Sequence, residues 1–208
     1  MSSTDSFPQT DSSYPSNDLR TYTTTRHSTS PLDFKPISPE QTIHLRHEVL
    51  WPSISTDDQL IPEYDFEEDT IHLGAFLKPH QVTPSIEDSI EAKDQNEISE
   101  LIGVLTLANQ RYDDPSIDAP VHIQLHKFAI HPSYQSKGIG RELLAYAIQI
   151  LKTRYYKDNI LFHFDARVSQ KRFYEKCGMS ILDDQTFWKF GKTGNAEGVE
   201  YVKMGCVI

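Results

Sequence analysis

The sequence is poor in the residues that build several common classes of protein. Only two of its 208 residues are cysteines, Cys177 and Cys206, which is too few for a disulfide framework. These cysteines form no CxxC pair and the nine histidines form no HExxH motif, so we expect reduced thiols and no metal site. No run approaches the ~20 consecutive apolar residues of a membrane-spanning helix. We therefore expect a cytoplasmic protein, with the nucleus as an alternative, and no membrane partner.

Positive charge is also scarce. Twenty Lys and Arg against 30 Asp and Glu give a formal net charge of -10. An acidic chain repels phosphate backbones, which disfavours a nucleic-acid partner. It would steer a cationic substrate towards itself, although acidity also serves solubility alone. Apolar residues make up 38% of the chain, enough for one sizeable core.

The first 31 residues differ from the rest in composition. Fifteen of them are Ser or Thr and almost none is aliphatic. Such a segment cannot bury enough apolar surface to offset its ordering entropy, so we predict a disordered tail over residues 1–31 and one domain over 32–208. The tail lacks the apolar stretch of a secretory signal and the Arg-rich composition of a transit peptide.

The first half of the domain shows three strands and one helix. The pattern predicts an edge strand at Phe34–Ile37 and strands at Ile71–Leu77 and Leu101–Ala108. Between the first two, a capping box from Ser38 to Gln41 opens a helix that ends before Pro52. The acidic stretch 78–100 is predicted to be a solvated loop.

A strand is predicted over Val121–Ile130, and its alternation contains a fault. Ile123 and Leu125 place the apolar face on odd positions, whereas Phe128 and Ile130 place it on even ones. One extra residue would keep all four on a single face, so the pattern predicts a β-bulge at His126-Lys127. The alternative is a strand that simply ends at Lys127.

A glycine-containing loop and a helix follow this strand. The helix is predicted from Ile139 to Tyr155, and Gly138 and Gly140 stand at its beginning. Free N–H groups at a helix N-terminus after a strand can hold a phosphate. A second strand of the same βαβ unit is predicted at Asn159–Asp165. A short helix ending at Gly178 and a C-terminal hairpin, with its turn at Thr193–Asn195, complete the domain.

Two segments resemble the GNAT superfamily of acyl-CoA N-acyltransferases. The stretch from Leu125 to Leu144 is similar to its central motif, a strand followed by [QR]-x-x-G-x-[GA], and Phe173–Met179 is similar to its second motif, FYxKxGF. The Leu45–Leu50 helix also resembles the opening of ElaA-like members. One departure is Arg167, which stands where the family often has Asn and could reach a ligand phosphate or carboxylate, or form a surface ion pair.

The resemblance implies a fold of the α/β (α+β) class: a mixed, mainly antiparallel sheet with a splayed parallel strand pair and flanking helices. It also implies acetyl-CoA as co-substrate, with its pyrophosphate on the loop and its pantetheine arm along the strand. The implied cofactor-binding residues are Phe128, Ala129, Ile130, Gln135, Ser136, Lys137, Gly138, Ile139, Gly140 and Arg141.

The resemblance also gives two catalytic candidates. Tyr174 could protonate the departing CoA thiolate, or it could be an ordinary core tyrosine. His126 lies where arylalkylamine N-acetyltransferases have a catalytic histidine and could accept the amine's proton, or it could be a strand-surface histidine. His131 is expected to be a turn residue, and His72 and His163 are possible pocket residues.

The implied function is acetyl transfer to a primary amine of a small, cationic molecule such as a polyamine or aromatic amine, by a monomer or homodimer. Two alternatives remain open at this point. One is a protein acetyltransferase acting on lysine or an N-terminus, and the other is a non-catalytic acyl-CoA-binding module.

Overall fold

The protein forms one seven-stranded mixed sheet with helices on both faces, as seen in a computed structural model that describes residues 30–78, 99–156, 158–190 and 198–208. The strand order is β1-β2-β3-β4-β5-β7-β6, and β4 and β5 form its parallel pair, whereas the other neighbouring strands are antiparallel. This is the mixed, mainly antiparallel fold that the sequence predicts. The strands are β1 (Leu32–Ile37), β2 (Ile71–Leu77), β3 (Glu100–Asn109), β4 (Val121–Ile130), β5 (Ile160–Arg167), β6 (Ser180–Lys189) and β7 (Val199–Val207).

Within the described ranges, four helical segments flank the sheet. We number them α1 (residues 40–50), α2 (Pro62–Asp65), α3 (Ile139–Arg154) and α4 (Lys171–Lys176), and short 3-10 turns lie at Thr56–Asp58, Pro132–Tyr134 and Val168–Gln170. Among the described residues, no helix is long and apolar enough to cross a membrane.

The strands at the centre of the sheet are apolar on both faces because helices cover both sides. The larger core lies under α3, where Leu143 and Leu151 meet Ile102, Ile123 and other buried side chains. A smaller cluster of Leu45, Val104 and Ala129 lies on the other face, under α1. The helix predicted over residues 139–155 is confirmed, and its buried side chains are Ile139, Leu143, Leu144, Ala147, Ile150 and Leu151.

The first helix is confirmed, but it is not the continuous α-helix that the capping pattern predicts. It passes from a 3-10 turn (Glu40–Thr42) through an α turn (Ile43–Leu45) into a π turn (Arg46–Leu50). Half of the capping box forms, because the Gln41 side chain accepts from the backbone N–H of Ser38 at 2.9 Å. The π turn ends in a bond from the N–H of Trp51 to the carbonyl of Arg46.

The predicted bulge in β4 is confirmed. His126 pairs with Thr106 and Ala129 pairs with Val104, so Lys127 and Phe128 together lie opposite the single residue Leu105. The extra residue keeps Phe128 on the same core as Ile123 and Leu125, as the alternation fault requires. Lys127 has a φ of 49°, the left-handed conformation that a bulge can impose on a non-glycine residue.

Three sequence predictions lie outside the described residues: the tail up to residue 29, most of the acidic loop (79–98) and the hairpin turn at 193–195. The C-terminal hairpin itself is confirmed. Its second strand, β7, lies between β5 and β6, so that β6 forms the edge of the sheet.

Candidate active site

The site is built around a gap between the two parallel strands. Pairing between β4 and β5 runs from Val121 with Ile160 to Gln124 with His163 and then stops. In the described part of the chain, β4 beyond Gln124 therefore has a strand partner on one side only. A regular ladder would next have paired His126 with Asp165 on the same face. Backbone groups on the open edge of β4 are available to an extended ligand.

The loop after β4 leads directly to the first turn of α3. Ser136 and Gly138 adopt left-handed conformations, with φ of 60° and 85°, and no side chain caps the helix. The first intrahelical bond is donated by Glu142 to the Gly138 carbonyl. The preceding N–H groups of Ile139, Gly140 and Arg141 therefore point out of the helix end, as an anion site requires.

The predicted cofactor-binding residues are brought together at this end of the sheet. Gly140 lies against the bulge: a Cβ there would come within 3.3 Å of the Phe128 ring and 3.5 Å of the Phe173 ring. The side chain of Gln135 donates to the carbonyl of Ile130 at 2.9 Å and so closes the end of β4. Lys137 and Arg141 are exposed and leave their charges near the helix N-terminus.

Tyr174 lies on the α3 side of the gap. Its ring centroid is 4.4 Å from that of Phe164 on β5 and 6.5 Å from that of Phe128 on β4, so it spans the two diverging strands. Burial raises the pKa of Tyr174 well above the ordinary value, and the nearby Arg167 opposes this only in part. The phenol therefore carries its proton at neutral pH.

His126 lies on the opposite side of the sheet. Its Nε2 is 2.9 Å from Oε1 of Gln110, and its ring stacks on Tyr64 with centroids 4.4 Å apart. Because an amide oxygen only accepts, Nε2 carries the hydrogen and Nδ1 has the free lone pair. Burial, with the charges of Lys127 and Lys189, lowers the pKa of His126 to about 3. The imidazole is neutral at physiological pH.

Two aromatic rings, those of Trp51 and Tyr64, lie beside His126. The ammonium of Lys127 lies 3.8 Å from the centroid of the Trp51 ring and 5.9 Å from that of Tyr64. The bulge causes this placement, since it turns Lys127 to the same side as His126. Trp51, which follows α1, and Tyr64, in α2, therefore lie over the bulge, on the face of the sheet that carries His126.

A buried ion pair holds these aromatic residues against the sheet. Arg46 and Asp65 are fully buried and form a bidentate salt bridge, with 2.6 Å from Nη1 to Oδ2 and 2.8 Å from Nη2 to Oδ1. Arg46 also donates to Thr106 on β3. Burial alone would raise the pKa of Asp65, but the hydrogen bonds and charge of Arg46 lower it, so the pair is ionised. Asp65 directly follows Tyr64, so the pair holds the tyrosine against His126.

The face of the sheet that carries His126 continues with polar residues on β5 and β7. His163, at the last β4–β5 pair, donates from Nε2 to the carbonyl of Gln110 at 2.8 Å. Asp165 follows on the same face, accepts a hydrogen bond from Lys189 at 2.7 Å and forms an ion pair with Lys203 at 2.7 Å. Burial opposes ionisation of Asp165, but the two lysines lower its pKa below the ordinary value.

The remaining sequence candidates have structural roles. His131 caps the 3-10 turn after β4 by accepting from Ser133, which is the turn role expected of it. His72 is buried and bonds to Thr106 and to the Asp65 carbonyl, away from the gap. No group of three or more His, Cys, Asp or Glu suited to a metal occurs in the described ranges.

Sequence reasoning missed several residues of the site: Trp51, Tyr64, Asp165, Lys189 and Lys203. Tyr64 lies in a short helix with no apolar periodicity, so no pattern distinguishes it. Asp165 and Lys203 are directly opposite each other in the β5–β7 register. Alternating polar residues in β5 were the available signal, but the cluster also needs the strand order, in which β7 inserts between β5 and β6.

Comparison with known proteins places this geometry in a family context. A family model described as the acetyltransferase (GNAT) family matches residues 47–179. A search of curated proteins gives no match. Several solved structures share the fold at low identity.

An IAA acetyltransferase from Bacillus cereus is 18% identical, with a TM-score of 0.53 over 85% of this chain and 99% of that one. Escherichia coli ElaA is 11% identical, with a TM-score of 0.53 over 84% and 98% of the two chains. Arabidopsis thaliana NAA60, solved in complex with acetyl-CoA, is 14% identical, with a TM-score of 0.55 over 85% and 98%. At these identities, the likeness concerns the fold.

Proposed function

Since the chain belongs to the acetyltransferase (GNAT) family, we propose that it transfers the acetyl group of acetyl-CoA to the primary amine of a small molecule by direct attack. The observation that carries this proposal is the gap between β4 and β5. It opens beyond Gln124 and His163, beside the uncapped N-terminus of α3. An extended strand-like ligand with a phosphate group fits such a combination.

Acetyl-CoA supplies the activated acetyl group, and residues of the β4–α3 segment would hold it. The N–H groups of residues 136–141 and the positive end of the α3 dipole suit the pyrophosphate. The open edge of β4 from Phe128 to Ile130 suits the amide groups of the pantetheine arm. A backbone N–H at the bulge can stabilise negative charge on the carbonyl oxygen under attack.

Tyr174 and His126 are proposed to act from opposite sides of the gap. Tyr174, on the α3 side, retains its proton at neutral pH and can give it to the CoA thiolate as the thiol leaves. His126, on the other side, presents an unprotonated Nδ1 that can accept a proton from the attacking amine, directly or through water. Acid and base thus lie where the leaving and attacking groups would be.

The positive charges beside His126 act on the amine itself. An alkyl amine has an ordinary pKa near 10.4, so most of it is protonated at neutral pH. Lys127 and Lys189 lower the pKa of His126, and they would lower that of an ammonium bound nearby in the same way. The site therefore favours the neutral amine, which is the form that can attack.

The proposal is tested by acetyl-CoA turnover against a panel of primary amines, with free thiol release as the readout. Amine-dependent thiol release, with the N-acetyl product identified by mass spectrometry, supports it. Acetylation of peptides but of no small amine would favour a protein acceptor instead. Acetyl-CoA binding without turnover on any amine or peptide would favour a non-catalytic acyl-CoA-binding module.

A further inference from the structure

A positively charged cluster lies beside His126, although the chain as a whole is acidic. Asp165 is bracketed by Lys189 and Lys203, each with its ammonium 2.7 Å from a different carboxylate oxygen. One carboxylate neutralises only one of the two lysines. Each ammonium has three hydrogens and gives at most one to Asp165, and the side chains are 40% and 32% exposed, so both can bind a further acceptor.

A third positive charge completes the cluster. Lys127 stands over Trp51 on the same side of the sheet. The charges that act on His126 are, in decreasing order, those of Lys127, Lys189, Asp165 and Asp65. Asp65 is paired with the buried Arg46, so its charge is already compensated. Lys189 and Lys203 with the single carboxylate of Asp165 leave a net positive charge beside His126.

Aromatic rings flank the two lysines of the Asp165 group. The ammonium of Lys189 lies 4.8 Å from the centroid of Tyr201, and that of Lys203 lies 5.4 Å from Phe187. These rings are themselves stacked, with centroids 6.1 Å apart. The surface beside His126 therefore offers positive hydrogen-bond donors set against apolar area. This combination suits a carboxylate attached to an apolar carbon skeleton.

We propose that the amine acceptor carries a carboxylate, which binds to Lys189 and Lys203 while its amine lies at His126. The inference rests on the proposed acetyl transfer and specifies its substrate class as amino acids and related amino-carboxylates. It differs from the cationic acceptor suggested by the net charge, because binding depends on the charges that the ligand contacts. Asp165 holds both lysines in place, from β7 and from the end of β6, and is a positioning residue.

A negatively charged cavity lies farther along the same face, and it would select the opposite class of substrate. A cavity of about 580 Å³ is lined by Tyr112 and by the four carboxylates of Asp113, Asp114, Asp183 and Asp184. If this cavity selected the acceptor, the second group of the substrate would be a cation. Acceptors that differ only in their second group distinguish the two surfaces.

The experiment compares three acceptors on one carbon chain: γ-aminobutyrate, its amide and putrescine. A second set uses an aromatic skeleton: (aminomethyl)benzoate, its amide and xylylenediamine. We expect kcat/KM for the carboxylate to exceed that for the amide about tenfold or more in at least one set, the effect of one charge-assisted hydrogen bond. Putrescine and xylylenediamine should be poorer than the amides.

Charge variants identify the group responsible. Lys189→Met keeps the apolar stem and should reduce the carboxylate-to-amide ratio of kcat/KM about tenfold. Lys189→Arg should restore most of the ratio, which a merely structural role for Lys189 would not predict. Lys152→Met, on an exposed position of α3, serves as the matched control and should leave the ratio unchanged.

The outcomes separate this inference from the proposed function. Equal acetylation of carboxylate and amide in both sets, or a preference for the diamines, overturns the inference and leaves acetyl transfer to amines intact. A carboxylate preference that survives in both Lys189→Met and Lys203→Met also overturns it. Absence of thiol release with every amine overturns both.

Discussion

His126 and Asp165 flank the gap between the parallel strands, two residues beyond the last pair of Gln124 and His163. His126 is neutral, whereas Asp165 is ionised and bracketed by two lysines. The two strands thus bring the proposed proton acceptor and the carboxylate between two lysines to one face of the sheet. Tyr174 occupies the other face, against Phe164 and Phe128.

The loop before α3 can be tested with two nearly isosteric variants of Gly138. This glycine has a φ of 85°, and a Cβ there meets no atom within 4 Å, so Asn and Asp, which tolerate this conformation, should both fold. Gly138→Asp adds a negative charge where the pyrophosphate is proposed to bind. We expect it to weaken acetyl-CoA binding about tenfold or more, since two like charges ~4 Å apart near a surface repel by several kcal/mol before screening.

Gly138→Asn is the control, because it differs from Gly138→Asp in charge alone. Isothermal calorimetry with acetyl-CoA should show much the smaller loss for Asn. Equal affinities for the two variants would exclude this helix end as the phosphate site. Gly140 is less suitable, since a side chain there would press on Phe128 before it reached any ligand.

Tyr174→Phe tests the proposed acid. The change keeps the ring and its packing but removes the proton for the thiolate. We expect kcat to fall about 10²-fold with little change in acetyl-CoA affinity. As a control, Tyr146→Phe removes a tyrosine hydroxyl from α3, where the ring of Tyr146 stacks on Phe34. This variant should have an unchanged kcat. A normal kcat for Tyr174→Phe would mean that the tyrosine only packs.

His126→Gln tests the proposed base through its pH profile. A Gln amide can still donate to Gln110, so the local structure should persist. The rate should fall most near neutral pH and recover at high pH, where the amine loses its proton without help. Since the pKa of His126 is lowered to about 3, the wild-type enzyme should show no inflection from His126 between pH 5 and 8. Equal impairment at every pH would make His126 a structural residue.

The Arg46–Asp65 pair should contribute strongly to stability. Arg46→Met leaves the Asp65 carboxylate buried without its partner, and we expect the free energy of unfolding to fall by about 3–5 kcal/mol in urea titrations. Arg154→Met removes an exposed ion pair with Asp69 and should cost less than about 1 kcal/mol. Similar losses for the two variants would show that burial does not set the strength of the Arg46 pair.

The sequence allows the fold and one half of the site to be predicted, for a physical reason. Strand alternation and the glycine loop are local signals and predicted the β4 bulge and α3, whereas Tyr174 was a candidate only through the resemblance of Phe173–Met179 to the second GNAT motif. The cluster of Asp165, Lys189 and Lys203 forms only when β7 lies between β5 and β6, and local patterns carry no information on that order. Arg46 was missed for a different reason: a charged residue is expected in water, and its burial depends on a partner nineteen residues away.

The bulge itself can be removed without disturbing the apolar pattern of β4. Because His126 pairs with Thr106 and Ala129 with Val104, deletion of Lys127 would place Phe128 alone opposite Leu105. Strict alternation from Leu125 to Ile130 would follow, with the apolar residues still on the core side. We therefore expect the variant to fold with a free energy of unfolding within about 1 kcal/mol of the wild type.

The variant that lacks Lys127 should nevertheless lose acetyl-CoA binding. A regular β4 would be straighter, because a bulge bends its strand and increases the twist, and we expect pairing with β5 to extend past Gln124 and His163. Acetyl-CoA affinity should then fall at least tenfold by calorimetry, with new slow-exchanging amides on the β5 side of β4. Lys127→Asn, which tolerates the φ of 49° and keeps the bulge, should bind acetyl-CoA normally. Undiminished affinity in the deletion variant would show that the gap is maintained by the residues packed into it and not by the extra residue in β4.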